Sequence, residues 1–513
     1  MTKRNTFFIA FPIIMFLLLS GVTKGQDSVS TINISLTHTF QRIDNFAASD
    51  AWACQFVGNW PDEKKNKIAD FLFSNDTLPN GAPKGISLSA WRFNIGAGSA
   101  AQGEQSDIKD EWRRAESFLN NNGNYNWQQQ AGQDWFLKAA KKRGVKTFIG
   151  FANSPPVQLT LNGKAYATKG KTNIAPANYN AFSTYLVKVI KGVEQSAQIK
   201  FNYISPVNEP QWDWSDAGQE GCPYNNTEIA GLVKSINTAF VKHRIKSKLL
   251  ITEAGKLNYL IEDGDKPGKG KQIFNFFKKE SPNYIGNLPT VSKTIAGHSY
   301  FTTSPATTAI KTRVDLAKSV AAIPSLSYWQ SEYCILGDNA GELNGEGKDT
   351  GIDAALYLAA VIHTDMAVAN ASAWQWWTAI SAYNYKDGLI YADKNKTDGN
   401  FSASKMLWVL GNYSRFIRPG AVRIEAAVTG TQNLKMPLLV SACKYGKSIS
   451  IVIINKNSEQ LPVRINIDKA SVKNIRAYTT SQTDDLLPGK ILDAKKPLVI
   501  QGRSVVTITG KID

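Results

Sequence analysis

The chain has 513 residues, of which 43% are hydrophobic and 20% charged, a composition that excludes a disordered or fibrous protein. This length suffices for one large domain and a smaller one. The formal net charge is +17, but the basic residues are scattered and form no dense block or nucleic-acid-binding motif, so we expect no nucleic-acid partner.

The N-terminal segment has the features of a secretory signal peptide. Two basic residues precede an apolar run at residues 7–19, and small or polar residues follow as far as residue 25. The run is short for a membrane anchor, which needs about 20 apolar residues. Removal of residues 1–25 lowers the net charge by 3, to +14. No cysteine occurs before Cys54, so we expect a secreted or periplasmic protein with neither a lipid anchor nor an integral membrane segment.

Eight short runs rich in β-branched and aromatic residues alternate with helix-like segments after this signal. The runs lie at residues 43–49, 86–94, 145–153, 201–208, 249–253, 294–300, 326–332 and 372–378. Apolar residues recur at helical spacing in the segments 131–139, 179–193 and 229–240. This alternation predicts a parallel sheet closed into a (β/α)8 TIM barrel over residues 42–411. An open doubly wound sheet is the alternative, but it usually carries a Gly-rich phosphate turn, which we do not find.

The pattern changes after the barrel. Six short strands without intervening helices are predicted at residues 438–444, 449–455, 461–467, 472–478, 497–500 and 504–510. They indicate a β-sandwich over residues 412–513. A strand-like run at residues 32–40, within the segment 26–41 that precedes the barrel, is expected to join this sandwich.

The cysteines leave the disulfide pairing open, whereas the spacing of the cysteines and histidines argues against a metal site. Cys54, Cys222, Cys334 and Cys443 allow three complete disulfide pairings in an exported protein, and the sequence does not choose among them. The four histidines lie far apart, and neither CxxC nor HxxxH spacing occurs, so we expect no metal site.

Two glutamates lie at strand ends where a barrel of this kind places its active site. Glu209 follows the fourth strand in Asn208-Glu209-Pro210, and Glu332 ends the seventh in Ser331-Glu332-Tyr333. Glutamates three strands apart can face each other across the barrel mouth, where one protonates a departing glycosidic oxygen and the other attacks the anomeric carbon. A pair of strand-end salt bridges is the structural alternative. Glu253, which ends the fifth strand, is a competitor that we interpret as substrate-facing or structural.

These motifs resemble glycoside hydrolase family 30, in the clan of retaining (β/α)8-barrel glycosidases. The resemblance covers residues 30–513 in order, and its most specific part is the junction at residues 411–420. Further matches are Gln41-Arg42-Ile43-Asp44-Asn45-Phe46, Trp91-Arg92-Phe93 and Asn153-Ser154-Pro155-Pro156.

The resemblance implies roles for particular residues. Glu209 is the implied general acid/base and Glu332 the implied nucleophile, with Arg92 keeping the nucleophile ionised and Asn208 bonding the sugar 2-hydroxyl. The other implied site residues are His298 and Tyr300 beside the carboxylates, Trp376 as an apolar sugar platform, and Trp212 as a stacking residue after the acid/base. The alternatives are purely structural roles: a core salt bridge for Arg92, a hydrogen-bonded core histidine for His298 and loop packing for Trp212.

The motif set is closest to the endo-β-1,6-galactanase branch, which implies action on arabinogalactan side chains. The first strand lacks the usual glycine-rich run, and the loop 219–224 is distinctive, so transfer from the glucosylceramide or xylan branches is weakened. A β-1,6-glucanase is the next candidate. An inactive glycan-binding protein on the same fold is the alternative of another class. We expect no cofactor, because two carboxylates suffice for the chemistry, and we expect a monomer.

Overall fold

The computed structural model describes residues 29–430, 434–468, 470–493 and 496–513. The predicted signal peptide, residues 1–25, lies outside these described residues. Among the described helices, none combines the length and the apolar character that a membrane span requires.

The barrel predicted from the alternating pattern is present. After β1 (Ser30–Arg42), which belongs to the second domain, eight parallel strands pair in chain order, and the last of them pairs back onto the first. They are β2 (Asn45–Ser49), β3 (Ala90–Asn94), β4 (Thr147–Phe151), β5 (Phe201–Ser205), β6 (Lys248–Ala254), β7 (Val291–His298), β8 (Ser327–Glu332) and β9 (Ala373–Ser381). Two short strands that were not predicted extend the sheet beside β9: β10 (Gly388–Ala392) and β11 (Phe401–Ala403).

Helices pack around this barrel wherever the sequence showed a 3.6-residue period. The described helices are α1 (Cys54–Val57), α2 (Asp62–Phe73), α3 (Ser99–Gln102), α4 (Ala131–Lys142), α5 (Tyr179–Ala197), α6 (Asn226–His243), α7 (Asn258–Ile261), α8 (Gln272–Phe277), α9 (Ala306–Ala321), α10 (Ile352–Ala367) and α11 (Lys405–Ser414). Helix α6 begins at a capping box, in which Asn225 and Glu228 satisfy each other's backbone N–H groups. Helix α4 is followed by Gly144 at φ +90°, the left-handed conformation that glycine adopts most readily.

One layer of side chains fills the barrel interior below the site. Each of the eight strands contributes one residue to it: Ala47, Ala90, Ile149, Tyr203, Leu250, Ala296, Trp329 and Ala373. Four alanines make room for the large Trp329 ring, whose Nε1 donates to Asp44 at 2.8 Å. The barrel is therefore a packed core rather than a pore, and the polar side chains lie nearer the C-terminal ends of the strands.

The second domain is the predicted β-sandwich domain, and it includes the N-terminal strand. Its later strands are β12 (Val422–Thr429), β13 (Leu439–Tyr445), β14 (Ser448–Asn455), β15 (Leu461–Ile467), β16 (Val472–Thr480), β17 (Leu487–Leu492), β18 (Leu498–Ile500) and β19 (Ser504–Ile512). Hydrogen bonding follows the order β17-β16-β19-β14-β13-β12-β1-β15-β18, and among the described strands of this sheet only β1 and β15 pair in parallel. Strands β12 and β17 were not predicted; β17 contains Pro488 and Gly489, which weaken a strand signal.

The junction between the domains explains the specific motif at residues 411–420. Asn412, near the end of α11, donates from Nδ2 to Thr507 Oγ1 and to two backbone carbonyls of the β-sandwich domain. Arg415 donates to four backbone carbonyls of the segment before β3, including that of Gly85 at 3.0 Å. Helix α11 and the residue that follows it therefore bond to both domains.

Candidate active site

The two predicted glutamates come together at the C-terminal end of the barrel. Glu209 lies just past β5 and Glu332 ends β8, and both are buried. A carboxylate oxygen of Glu209, one of Glu332 and a ring nitrogen of His298 all lie within 4.8 Å of one another. Both glutamates line one cavity of about 280 Å³, so a single bound group can reach both carboxylates.

Arg92 and Tyr300 hold the carboxylate of Glu332. Arg92, on β3, donates from Nη1 to Oε2 of Glu332 at 2.5 Å, and Tyr300 donates from its hydroxyl to Oε1 at 3.2 Å. Arg92 also donates from Nη2 to Oδ1 of Asn208 at 3.1 Å, which leaves the amide nitrogen of Asn208 turned away from the guanidinium. The predicted contact of Arg92 with Glu332 is therefore present in the geometry.

Glu209 is held through both its side chain and its backbone. His298 Nδ1 lies 2.8 Å from Oε1 of Glu209. The backbone N–H of Glu209 donates to the carbonyl of Glu253 at 2.8 Å, and the Trp214 indole donates to the carbonyl of Glu209 at 3.0 Å. These contacts keep Glu209 at φ +43°, a left-handed conformation that costs free energy for a residue with a side chain and is common at functional sites.

The electrostatics separate the buried acids into two kinds. Burial raises the pKa of Glu209 above its ordinary value. Burial also raises the pKa of Glu253, but the charges of Arg92 and His298 outweigh this effect and bring the pKa down to about 2. Glu253 is therefore ionised at neutral pH, whereas Glu209 is inclined to keep its proton.

His298 completes the charge balance of the site. Burial lowers its pKa, but the carboxylates of Glu332, Glu209 and Glu253 outweigh that and raise the pKa to about 10. His298 and Arg92 are then two cations beside the ionised Glu253, and Arg92 is paired with Glu332 at 2.5 Å. A protonated Glu209 adds no further negative charge to this group, and the protonated form is the one that a general acid requires.

The triad of Glu209, His298 and Glu332 also has a spacing that could suit a metal ion. However, each of its carboxylates already faces a cation: Arg92 binds Glu332, and His298 binds Glu209. A metal ion would have to displace the proton from His298 Nδ1, and the raised pKa of that ring opposes this displacement.

Aromatic side chains form the outer wall of the cavity. Trp212, predicted as a stacking residue, lines it, as do Phe301, Trp377 and the aliphatic Leu336. Phe301 is 66% exposed and meets Trp212 edge to face, with ring centroids 5.9 Å apart. Phe301 and Leu336 were not predicted as site residues. An aromatic residue directly after a predicted strand-end site, as Phe301 is after Tyr300, was the available signal.

The prediction that Trp376 offers a sugar platform is wrong. Trp376 is fully buried, its indole donates to the carbonyl of Asp387 at 2.7 Å, and its ring stacks on Trp374. Successive side chains of a strand point to opposite sides. Ala373, Gln375 and Trp377 point into the barrel, so Trp374 and Trp376 point outwards, and Trp377 reaches the cavity instead.

The four cysteines are free and buried, so none of the disulfide pairings that the sequence allowed is formed. Cys334 lies close to the site, with its Sγ 3.7 Å from the Tyr300 hydroxyl. Burial raises the pKa of this thiol well above its ordinary value, so Cys334 behaves as a small apolar residue next to the carboxylates.

Comparison with known proteins identifies relatives among the glycoside hydrolases. The family model described as O-glycosyl hydrolase family 30 matches residues 29–391. An endo-beta-1,6-galactanase of Hypocrea rufa is 24% identical over 428 residues, which cover 80% of this chain and 79% of that protein.

Solved structures of other proteins superpose on almost the whole of this chain. A conserved exported protein from Bacteroides fragilis is 34% identical, with a TM-score of 0.85 over 93% of this chain and 100% of that one. The catalytic domain of the GH30 xylanase C from Talaromyces cellulolyticus is 21% identical, with a TM-score of 0.69 over 94% of this chain and all of that chain. The second of these likenesses bears on the fold alone.

Proposed function

Because the chain belongs to O-glycosyl hydrolase family 30, we propose that it cleaves a β-linked polysaccharide with retention of configuration, using Glu332 as nucleophile and Glu209 as general acid/base. The observation that carries this assignment is the proximity of the two carboxylates, whose oxygens lie within 4.8 Å. Retaining enzymes place their carboxyl groups about 5–5.5 Å apart, whereas inverting enzymes leave about 6.5–9.5 Å for a water molecule.

The chemistry proceeds in two displacements. In the first, a carboxylate oxygen of Glu332 bonds to the anomeric carbon while the glycosidic bond breaks and the departing oxygen takes the proton of Glu209. In the second, Glu209 removes a proton from water, the water oxygen bonds to the anomeric carbon, and the bond to Glu332 breaks. Burial, which raises the pKa of Glu209, keeps the proton available for the first step.

The neighbouring side chains serve this sequence of steps. Arg92 and Tyr300 both donate to Glu332, so they keep it ionised and orient its oxygens. Asn208 lines the cavity with its amide oxygen engaged by Arg92, so its amide nitrogen is available to donate to the sugar 2-hydroxyl. A hydrogen bond at that hydroxyl strengthens in the transition state.

The proposed substrate is a β-1,6-linked galactan of the kind found in arabinogalactan side chains, cut internally. Support comes from the motif set and from the endo-beta-1,6-galactanase of Hypocrea rufa, which aligns over most of both chains. Product profiling on β-1,3- and β-1,6-linked galactans and glucans tests this. Oligosaccharides released from β-1,6-galactan alone support the proposal, whereas release from β-1,6-glucan alone overturns the sugar assignment.

The roles of the two glutamates are tested by azide rescue on an activated aryl β-galactoside. In Glu332→Ala, azide replaces the missing nucleophile in a single displacement and gives an α-glycosyl azide. In Glu209→Ala, azide attacks the glycosyl–enzyme intermediate and gives a β-glycosyl azide. If both variants give the same anomer, the assigned roles are wrong. A wild-type protein that binds galactan without hydrolysing it would show an inactive binding protein instead.

Export completes the proposal. Residues 1–25 are proposed to be removed as a signal peptide, and the related Bacteroides fragilis protein is described as exported. Mass spectrometry of the protein isolated from its own host tests this. A mature chain that begins near residue 26 supports export, and an intact N-terminus overturns it.

A further inference from the structure

Glu253 faces the site although the alternation of its strand points the other way. Leu250 belongs to the layer of side chains inside the barrel, so regular alternation would turn Thr252 inwards and Glu253 outwards. Instead, Thr252 donates to Gln272 of helix α8, outside the barrel. The pairing of β6 with β7 shifts its register before Ala254, an irregularity of the kind that re-aims side chains next to active sites.

The re-aimed carboxylate of Glu253 contacts three groups of the site. It lies 3.2 Å from Nε2 of His298 through Oε2 and 3.5 Å from Nη2 of Arg92 through Oε1, and it accepts a hydrogen bond from the Ser331 hydroxyl. Glu253 is 0% exposed, and it does not line the cavity, so it has no direct access to substrate.

The same residue also holds the backbone of the acid/base. The carbonyl of Glu253 accepts the N–H of Glu209 at 2.8 Å, while His298, held by the Glu253 side chain, contacts the Glu209 carboxylate at 2.8 Å. Glu209 is therefore fixed twice by Glu253, once directly through the main chain and once through the imidazole ring.

We propose that Glu253 is a positioning residue for the general acid/base: its carboxylate fixes the ring of His298 through Nε2, so that Nδ1 presents an N–H to Glu209. This inference rests on the proposed role of Glu209. An ionised carboxylate only accepts hydrogen bonds, so Nε2 must carry a proton. When Glu209 gives its own proton to the departing oxygen, the charge that develops on Glu209 is met by the Nδ1–H of His298, which is already in place.

The charge on His298 depends on every ionisable group around it. Four carboxylate or hydroxyl groups and one guanidinium face the ring or its neighbours from β3, β6, β8 and the segments after β5 and β7: Arg92, Glu253, Glu332, Glu209 and Tyr300. Neutralising one carboxylate of this group lowers the pKa of every neighbour that holds a proton, because a proton is then less strongly attracted.

The test variant is Glu253→Gln, which keeps the shape and removes the charge. We expect the alkaline limb of the pH profile of kcat/KM to move by about 1 unit to lower pH, because the His298–Glu209 pair then loses a proton more easily. We also expect kcat to fall more on polysaccharide than on a dinitrophenyl glycoside, whose leaving group needs no acid. A residue that only supports the fold would lower both rates equally and leave the limb where it is.

The matched control is Glu220→Gln. Glu220 is also 0% exposed, but it accepts hydrogen bonds from the backbone of Ala97 and Ser99 and contacts neither His298 nor Glu209. We expect lower thermal stability and an unmoved alkaline limb. An equal shift in both variants would overturn the proposal.

A second measurement needs neither a variant that folds nor any activity. The chain has four histidines, so ¹⁵N NMR of the wild-type protein can resolve the imidazole of His298. We expect both ring nitrogens to be protonated at pH 8, where an ordinary histidine is neutral. A neutral ring at that pH would overturn the proposal, even if the chain hydrolyses galactan as expected. Conversely, a protonated ring in a chain without galactanase activity would leave the proposed substrate, and not this inference, in error.

Discussion

Two buried charge clusters lie on opposite sides of the barrel wall, and they differ in how completely their polar atoms are hydrogen-bonded. The first is the mouth cluster of Arg92, Glu253, His298, Glu332 and Glu209. The second, on the outer side of the same strands, is the pair formed by Arg313 and Asp365, joined at 2.7 Å and 0% exposed. His298 belongs to the first cluster, and the next residue, Ser299, donates to Asp365 in the second.

The outer pair is satisfied, whereas the mouth cluster is not. Asp365 also accepts the Trp374 indole at 2.9 Å, and Arg313 donates to the carbonyl of Thr302 at 2.6 Å. Within the described residues, no side-chain atom of the outer pair is a buried polar atom without a partner, but Arg92 Nε and Glu253 Oε1 both lack a hydrogen bond. A buried charge cluster that leaves some hydrogen bonds unmade and opens on a cavity is typical of a functional site. A closed ion pair whose hydrogen bonds are all made is typical of a residue pair that stabilises the fold.

The substitution Glu332→Gln tests whether the mouth cluster serves catalysis rather than stability, and it is expected to have the largest effect on turnover. Turnover should fall by more than about 10⁴-fold, since the covalent intermediate can no longer form. The melting temperature should change little, because Arg92 keeps the ionised Glu253 as a counter-charge at 3.5 Å and glutamine fills the space of Glu332. Activity assays on the preferred polysaccharide and thermal unfolding check the two halves. A variant that loses its fold together with its activity would place Glu332 in the framework.

The outer pair predicts the opposite result. Asp365→Asn leaves the buried guanidinium of Arg313 without its counter-charge, which costs about 3–5 kcal/mol of the free energy of unfolding. Below its new melting temperature, we expect the variant to retain the wild-type kcat/KM. Denaturant unfolding measured beside steady-state kinetics would reveal a catalytic role if kcat/KM dropped without any loss of stability.

Much of this architecture could be predicted because the patterns were regular. The eight barrel strands alternate with helices of clear 3.6-residue period. A glutamate shortly after β5 and a glutamate at the end of β8 must both lie at the C-terminal end of a closed parallel barrel. The contacts of Arg92 and Tyr300 with Glu332 were expected from the family resemblance rather than from spacing.

The parts that could not be predicted depend on local irregularity. Glu253 faces the site because of a register shift in β6, which leaves no mark in the sequence. Trp374, Trp376 and Trp377 are chemically alike, so the choice of the one that reaches the cavity depends on the phase of β9, and an error of one residue reverses it. Leu336 lies in a loop, where no periodicity exists to place it.

The tryptophans of β9 provide a matched pair that sharpens the same contrast. Trp377→Leu removes an aromatic face from the cavity, so we expect KM to rise by up to about tenfold, the value of an aromatic contact of this kind. Trp376→Leu should leave KM unchanged and lower the melting temperature, because its ring packs only against protein. Kinetics and thermal unfolding of both variants check this. A raised KM in the Trp376 variant alone would restore it as the platform.

The smallest effect is expected from reducing agents. Cys334 lies beside the mouth cluster, and Cys443 lies on β13 of the β-sandwich domain, yet both are free thiols, as are Cys54 and Cys222. No covalent cross-link then contributes to the stability of either cluster, and addition of dithiothreitol should change neither the melting temperature nor kcat/KM. Titration of the denatured, unreduced protein with a thiol reagent should find all four thiols. Two missing thiols, together with a lower melting temperature after reduction, would show that a disulfide is present. If that disulfide included Cys334, the wall of the site would have to be arranged differently, because the Sγ of Cys334 contacts the Tyr300 hydroxyl in this structure.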